Sequence, residues 1–186
     1  MNLAVIGSGG REHAICYKLK QSTKVKKLIC IPGNAGTKNV AENIKEDISN
    51  FEAIYKIVLK KNIDIVVIGP EQPLVDGLTD YLNKKKIKVF GPSKDAAQLE
   101  GSKAFMKKLC KKNNIPTANF GIFKNQIDSL KFLEKSTYPI VIKADNLASG
   151  KGVYICNKKG EAEIAVNEIF NGKFGKAENL LIEEFL

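Results

Sequence analysis

Four glycine-bearing stretches in this 186-residue chain hold the residue types that phosphate chemistry needs. The first, Gly7-Ser8-Gly9-Gly10-Arg11-Glu12, lies between the apolar run Leu3 to Ile6 and a helical pattern from Arg11 to Lys20. Glycines at such a junction let backbone N–H groups approach a phosphate, and the helix N-terminus favours its charge. As a dinucleotide fingerprint the stretch fails, because Glu12 occupies the third glycine position. The next apolar run also ends in Ile31-Pro32-Gly33, with no acidic residue for a ribose hydroxyl. Pro32-Gly33-Asn34-Ala35-Gly36-Thr37 and Gly69-Pro70-Glu71-Gln72-Pro73-Leu74 follow two further apolar runs. Ligands of open α/β sheets sit beyond the carboxyl ends of the strands, where Glu71 can accept from ribose hydroxyls and glycine and asparagine N–H groups can hold a phosphate. Turn chemistry alone explains any one of these loops equally well; three opening on one edge favour a ligand.

The remaining stretch begins in Tyr138-Pro139-Ile140-Val141-Ile142-Lys143-Ala144-Asp145 and runs into Asn146-Leu147-Ala148-Ser149-Gly150-Lys151-Gly152-Val153. It is not a P-loop, since Gly152 stands where Ser or Thr must follow the lysine and no helix comes next. A glycine-rich strand–loop–strand can instead fold over the phosphates of a nucleotide. Lys143 in an apolar strand is costly unless its ammonium meets an anion. Snorkelling from an edge strand is the structural alternative.

The elements that must carry these residues alternate. Strand-like runs at Leu3–Ile6, Lys27–Ile31, Asp64–Ile68 and Ile87–Phe90 are separated by helical patterns at 11–20, 51–60 and 75–83. That rhythm predicts a doubly wound parallel α/β sheet. After Gly91-Pro92 two helices follow, at 94–99 and 102–113, with a break at Gly101 and Ser102 as a cap. Strands at 118–123, 140–144, 153–156 and 180–185, with helices at 127–134 and 161–170, then read as a smaller α+β unit. The expected domains are residues 1–101 and 102–186.

A hydrophobic content of 44% fits a packed, soluble protein, and no run approaches the ~20 apolar residues of a membrane span. The N-terminus lacks a basic leader and breaks at Gly7, so it reads as a strand and the expected location is cytoplasmic. Cys16, Cys30, Cys110 and Cys156 form no C-x-x-C pair, and His13 is the sole histidine, which disfavours a disulfide framework, a zinc site or a His-dependent nucleophile. The net charge of +10 invites nucleic acid. Its lysines are spread over helix faces and tips (Lys24, Lys26, Lys27; Lys84 to Lys86; Lys107, Lys108, Lys111, Lys112) without interleaved aromatic residues, so they read as a solvated surface.

Taken in order, these segments resemble the glycinamide ribonucleotide synthetase family of ATP-grasp ligases. The resemblance rests on residues 7–13, 32–37 and 69–75, then Phe90-Gly91-Pro92, Gln98-Leu99-Glu100-Gly101-Ser102-Lys103, Val141 to Val153, and Ile182-Glu183-Glu184-Phe185-Leu186. Each match is modest; the ordered set spans nearly the whole chain. The resemblance implies ligation of glycine to phosphoribosylamine with ATP and Mg2+, through a glycyl phosphate, in purine biosynthesis. It implies that residues 1–101 bind phosphoribosylamine through Gly9, Gly10, Arg11, Glu12, Gly33, Asn34, Gly36, Thr37, Gly69 and Pro70, with Glu71 on the ribose. It places Lys103 and the catalytic Lys143 on the ATP phosphates, and Ser149, Gly150, Lys151 and Gly152 in a flap above them. Glu183 would contact the adenine amino group, with backbone groups of Glu184 and Leu186 at the ring edge.

Two flap residues depart from the family's habit, Asn146 for a glycine and Ser149 for an alanine; Asn146 is expected to tolerate a left-handed turn. The family continues well beyond this length and its magnesium carboxylates lie there, so no metal ligand is expected within the chain, and the chain alone is expected to be inactive. Only small-molecule partners and a monomer are expected, without nucleic acid or membrane. Three alternatives stay open: another ATP-grasp ligase or carboxylase with a different acceptor, a binding module without catalysis, and a nucleic-acid adaptor.

Overall fold

Leu3, Ala4, Val5 and Ile6 are apolar without alternation because strand β1 (Asn2–Gly7) is covered on both faces. In the computed structural model, which describes residues 1–147, 151–175 and 177–186, the chain divides into two compact units, Met1–Ala97 and Gln98–Leu186. The first unit continues through α1 (Gly10–Lys20), β2 (Lys27–Pro32), a 3-10 turn (Thr37–Asn39), β3 (Glu42–Asn43) and α2 (Phe51–Lys60). It ends with β4 (Ile65–Ile68), α3 (Glu71–Asp76), α4 (Leu78–Lys84) and β5 (Lys88–Phe90).

The strands form one sheet in the order β3-β2-β1-β4-β5, and every ladder is parallel. Side-chain alternation sorts its residues into two cores. Ala4, Ile6, Ile29, Ile31, Val66 and Ile68 pack with Ile54 and Val58 of α2 and with Leu78 and Leu82 of α4. On the other face Leu3, Val5, Leu28 and Cys30 pack with Cys16, Ile15 and Leu19 of α1. Helices on both faces make the sheet doubly wound, as the alternating rhythm predicts. Cys16 and Cys30 meet in the second core, where Cys30 Sγ donates to the Gly7 carbonyl at 3.4 Å; the neighbouring Cys30 thiol and burial push the Cys16 thiol up.

Two local expectations need correction. The stretch 75–83, read as one helix, is two: Gly77 has φ +99° and ends α3 in a left-handed turn before α4 begins. The segment read as a loop at 69–74 is largely helical, because α3 starts at Glu71 behind an extended Pro70.

Helix α5 (Lys94–Gly101) runs across the division between the units. The second unit contains α6 (Lys103–Lys112), β6 (Phe120–Phe123), α7 (Gln126–Leu133), β7 (Ile140–Ala144), β8 (Val153–Cys156), α8 (Lys159–Phe170) and β9 (Leu180–Glu184). Its four strands are antiparallel in the order β6-β9-β7-β8. One face, with Ile140, Ile142, Ala144, Cys156, Leu180 and Ile182, packs on α7 and α8. By alternation the opposite face carries Val141, Lys143, Val153, Ile155, Leu181 and Glu183. Val153 and Ile155 are exposed there.

Asp145 ties α6 to the end of β7. Its carboxylate accepts from Ser102 Oγ at 3.1 Å, the Ala104 backbone N–H at 3.0 Å and Asn179 Nδ2 at 2.9 Å. Ser102 in turn caps α6 by accepting from the Phe105 N–H. Asp145→Ala strands these donors away from water. The expected loss is about 3 kcal/mol of unfolding free energy in urea titration of the second unit's transition. A loss under about 0.5 kcal/mol contradicts the anchoring role.

Candidate active site

The crevice of the first unit lies where the strand order reverses, between β1 and β4. Gly7 ends β1 with φ +127°, and its carbonyl accepts from the Gly33 N–H at 3.1 Å. The Gly69 N–H donates to the Ile6 carbonyl at 3.1 Å, so all three loops are tied to one sheet edge. Gly9 and Gly10 are exposed at the start of α1, and a Cβ on Gly10 would meet nothing within 4 Å.

Glu12 points inward. It is 2% exposed, and its Oε2 accepts from the Gly9 N–H at 2.6 Å at the start of α1. A Cβ at Gly7 would stand 2.6 Å from Glu12 Cγ, one at Gly9 2.8 Å from Oε2, and one at Gly69 closer still to Oε1. These glycines therefore make room for the Glu12 side chain as well as for any ligand. The geometry gives Glu12 a structural task, holding the turn from beneath the glycines of the site expected there.

Arg11 and Glu71 meet across the switch point. The guanidinium donates from Nη1 to Glu71 Oε1 at 2.5 Å and from Nη2 to Oε2 at 2.9 Å. Such a bidentate pair fixes both planes. The Arg11 hydrogen bonds hold the Glu71 carboxyl below the usual carboxylate range, and its own backbone N–H adds to the effect.

The second loop is fastened mostly to itself. Asn34 Nδ2 donates to the carbonyls of Ser8 at 2.8 Å and Gly9 at 3.2 Å, linking it to the first turn. Thr37 is fully buried, with its Oγ1 accepting from the Asn34 N–H and standing 2.8 Å from Asn43 Oδ1. Thr37 thus shapes the loop and offers no exposed surface to a ligand. Gly33, with φ +74°, leaves room for the Asn43 amide, and Gly36 leaves room for the His13 ring. Asn43, which sequence reasoning missed, lies on the two-residue strand β3.

In the second unit, Lys143 and Glu183 are diagonal neighbours on the open sheet face, because Val141 pairs with Glu183 and Lys143 with Leu181. Lys143 Nζ lies 2.8 Å from Glu183 Oε2. Lys103, from the first turn of α6, donates to the Asn146 carbonyl at 3.0 Å. Burial pushes the Lys103 ammonium below its ordinary range; Asp145 opposes this, and the nearby Lys143 charge adds to it. Glu183 is 4% exposed, and its Oε1 has no hydrogen-bond partner.

Lys107 corrects the reading of its lysine run as solvated surface. It is 4% exposed, with Nζ 3.0 Å from Glu183 Oε2 and 2.7 Å from Thr117 Oγ1. No local signal marked it, since Lys107 stands beside Lys108 in a helix that also carries Lys103, Lys111 and Lys112. Glu184, on the following position, turns its carboxylate to Asn119, whose backbone and side-chain donors hold it below the usual range. Leu186 is exposed at the end.

In the flap, Lys151 is exposed and the Gly152 carbonyl accepts from the Ala144 N–H at 2.8 Å. Ser149 and Gly150 lie outside the described residues. Asn146 needs no left-handed backbone: among the described residues the non-glycine positions with positive φ are Asn62, Lys86 and Asn114. Its side chain instead donates to the Phe174 carbonyl at 2.8 Å.

The Arg11–Glu71 clasp has a signed pH dependence. Glu71's folded-state value lies below its ordinary 4.5, so the stability it contributes is present above that value and lost as pH falls through the folded one. Carbon-13 titration of the Glu71 side-chain carboxyl is expected to give a midpoint below 4.5, moving up in Arg11→Met. A wild-type midpoint at or above 4.5 contradicts the clasp.

Comparison with known proteins assigns both units. Residues 1–100 match the family model described as phosphoribosylglycinamide synthetase, N domain, and residues 101–186 that of its ATP-grasp (A) domain. The chain is 46% identical to phosphoribosylamine–glycine ligase of Clostridium acetobutylicum, over 100% of this chain and 45% of that protein. It therefore spans about half the length of the curated relatives it matches. The crystal structure of phosphoribosylamine–glycine ligase from Thermotoga maritima superposes with a TM-score of 0.80 at 33% identity, over 100% of this chain and 44% of that one. The biotin carboxylase domain of Hydrogenobacter thermophilus 2-oxoglutarate carboxylase, solved with MgADP, ADP and bicarbonate, shares the fold at 21% identity and a TM-score of 0.75, over 100% and 44% of the two chains. With both of its units matched in order, the chain belongs to the phosphoribosylglycinamide synthetase family.

Proposed function

We propose that the protein carrying this chain joins glycine to phosphoribosylamine, using ATP, to give glycinamide ribonucleotide, ADP and phosphate in purine biosynthesis in the cytoplasm. The observation that carries the reading is the convergence of Lys103 and Lys143, from different elements, at the mouth of one glycine-bearing loop. Lys143 shares Glu183 with Lys107, while Lys103 donates to a carbonyl and is driven down by burial, so a further anion beside the two lysines would be stabilised. A nucleotide's phosphates supply that charge, and the unpartnered Glu183 Oε1 on the same face supplies an acceptor for an adenine amino group.

In this reading the first unit holds phosphoribosylamine. The start of α1, with Gly9 and Gly10, takes the phosphate, and Arg11 and Glu71 act as one preformed element, Glu71 keeping lone pairs for ribose hydroxyls. Glu12 and Thr37 act from beneath by fixing the loops. In the second unit Lys103 and Lys143 neutralise charge on the phosphates, while Ser149 to Gly152 cover them. Backbone groups of Glu184 and Leu186 meet the adenine edge.

The chemistry needs positioning more than a side-chain nucleophile. A glycine carboxylate oxygen attacks the γ-phosphorus and ADP leaves, which makes the carboxyl carbon electrophilic as glycyl phosphate. The amine of phosphoribosylamine then forms the C–N bond, phosphate departs, and the amine proton passes to solvent. Mg2+ would supply charge neutralisation at the transferring phosphoryl group. Among the described residues no group of three or more His, Cys, Asp or Glu is placed to hold a metal, so no step is assigned to it here. The chain alone, as a monomer, binds ligands without completing turnover.

Phosphate release by the complete protein is expected only when phosphoribosylamine and glycine are both present. Release indifferent to glycine overturns the named acceptor. Lys143→Ala in the complete protein is expected to lower turnover at least about 100-fold with an unchanged circular dichroism spectrum. An active variant removes Lys143 from the site.

A further inference from the structure

Glu183 is held by two lysines that differ in one respect. Lys143 is 26% exposed and Lys107 only 4%, yet both ammonium groups lie on the same oxygen, Oε2. The proposed nucleotide reading requires Lys143 to face a phosphate. A buried carboxylate deserted by its single cation would take up a proton to escape its charge. Lys107 removes that difficulty. It is fixed by Thr117 Oγ1 at 2.7 Å and the Ala118 carbonyl at 3.4 Å, and its Nζ lies 5.6 Å from the centre of the Phe120 ring. Those partners leave it nowhere else to go.

Resting on that reading, we infer that Lys107 is a positioning residue: the permanent counter-ion that keeps Glu183 ionised and oriented when Lys143 turns to the nucleotide. The consequence is selectivity at the purine 6-position. An ionised Glu183 offers only lone pairs at Oε1, so it accepts from a 6-amino N–H and repels a 6-oxo group. A protonated Glu183 can donate from Oε1 and so admits the 6-oxo purine. Lys107 thereby sets the preference for an adenine over a hypoxanthine nucleotide without touching either base.

The test compares ATP with ITP on the complete protein, measuring affinity by calorimetry and KM and kcat by phosphate release. Wild type is expected to favour ATP. Lys107→Met is expected to lower ATP affinity about 10- to 100-fold, to act on KM more than on kcat, and to collapse the ATP/ITP ratio toward one. Lys107→Arg, which keeps the charge, restores most of the ratio. Thr117→Val, which loosens Lys107 without deleting it, shifts the ratio the same way by a smaller factor and decides the matter if Lys107→Met fails to fold. An ATP/ITP ratio unchanged in folded Lys107→Met, or in Thr117→Val when the former is unfolded, overturns the inference. Wild type that binds neither nucleotide, or shows no preference between them, instead overturns the nucleotide reading beneath it.

Discussion

A carboxylate almost without water organises the second unit. Glu183 is buried on the open face of an antiparallel sheet, and burial of its charge is tolerable only where cations reach it. Three parts of the fold meet that demand. The β7–β9 register brings Lys143 diagonally alongside, α6 is laid so that Lys107 enters from beneath, and Thr117 and Ala118 hold that ammonium in place. Lys103, one helical turn before Lys107, consequently projects at the start of the flap, where it meets the Asn146 carbonyl. The arrangement of this lysine-bearing face thus follows from where one acidic side chain is stored.

The first unit has a comparable device of opposite purpose. There a buried carboxylate, Glu12, shapes backbone. Gly7, Gly9 and Gly69 crowd it so closely that a side chain at any of them would collide with it. Because Gly9 and Gly69 belong to loops after different strands, Glu12 couples the two, and the Arg11–Glu71 pair spans the same gap above it. Asn34 adds the second loop by donating to Ser8 and Gly9. Loops on a rigid sheet edge gain the fixed spacing that ligand recognition requires.

Much of this was legible in the residues, for identifiable reasons. Unbroken apolar runs such as Leu3–Ile6 and Leu28–Ile31 announced strands, and these two are buried on both faces. The embedded Lys143 announced an anionic partner, because an ammonium in an apolar strand is expensive alone, and Glu183 is that partner. What escaped depends on tertiary contact. Strand β3 is two residues long, Glu42 and Asn43, and has no periodicity to detect. The break at Gly77 looked like a tolerable glycine inside a helical pattern, and Pro70-Glu71-Gln72-Pro73 looked like a loop although α3 begins within it. Lys107 was hidden among Lys108, Lys111 and Lys112, and only its pairing with a residue far along the chain separates it from its solvated neighbours. The family resemblance placed Glu12 at the ligand site, but its packing against Gly7, Gly9 and Gly69 depends on three loops that meet only in the fold.

The most direct measurement is a crystal structure of the complete protein with a non-hydrolysable ATP analogue. The arrangement described here predicts the adenine amino nitrogen within hydrogen-bonding distance of Glu183 Oε1. It also predicts phosphate oxygens at Lys103 and Lys143, and Lys107 still seated on Glu183. A nucleotide bound away from this face, or one whose phosphates leave Lys143 paired with Glu183, would contradict it.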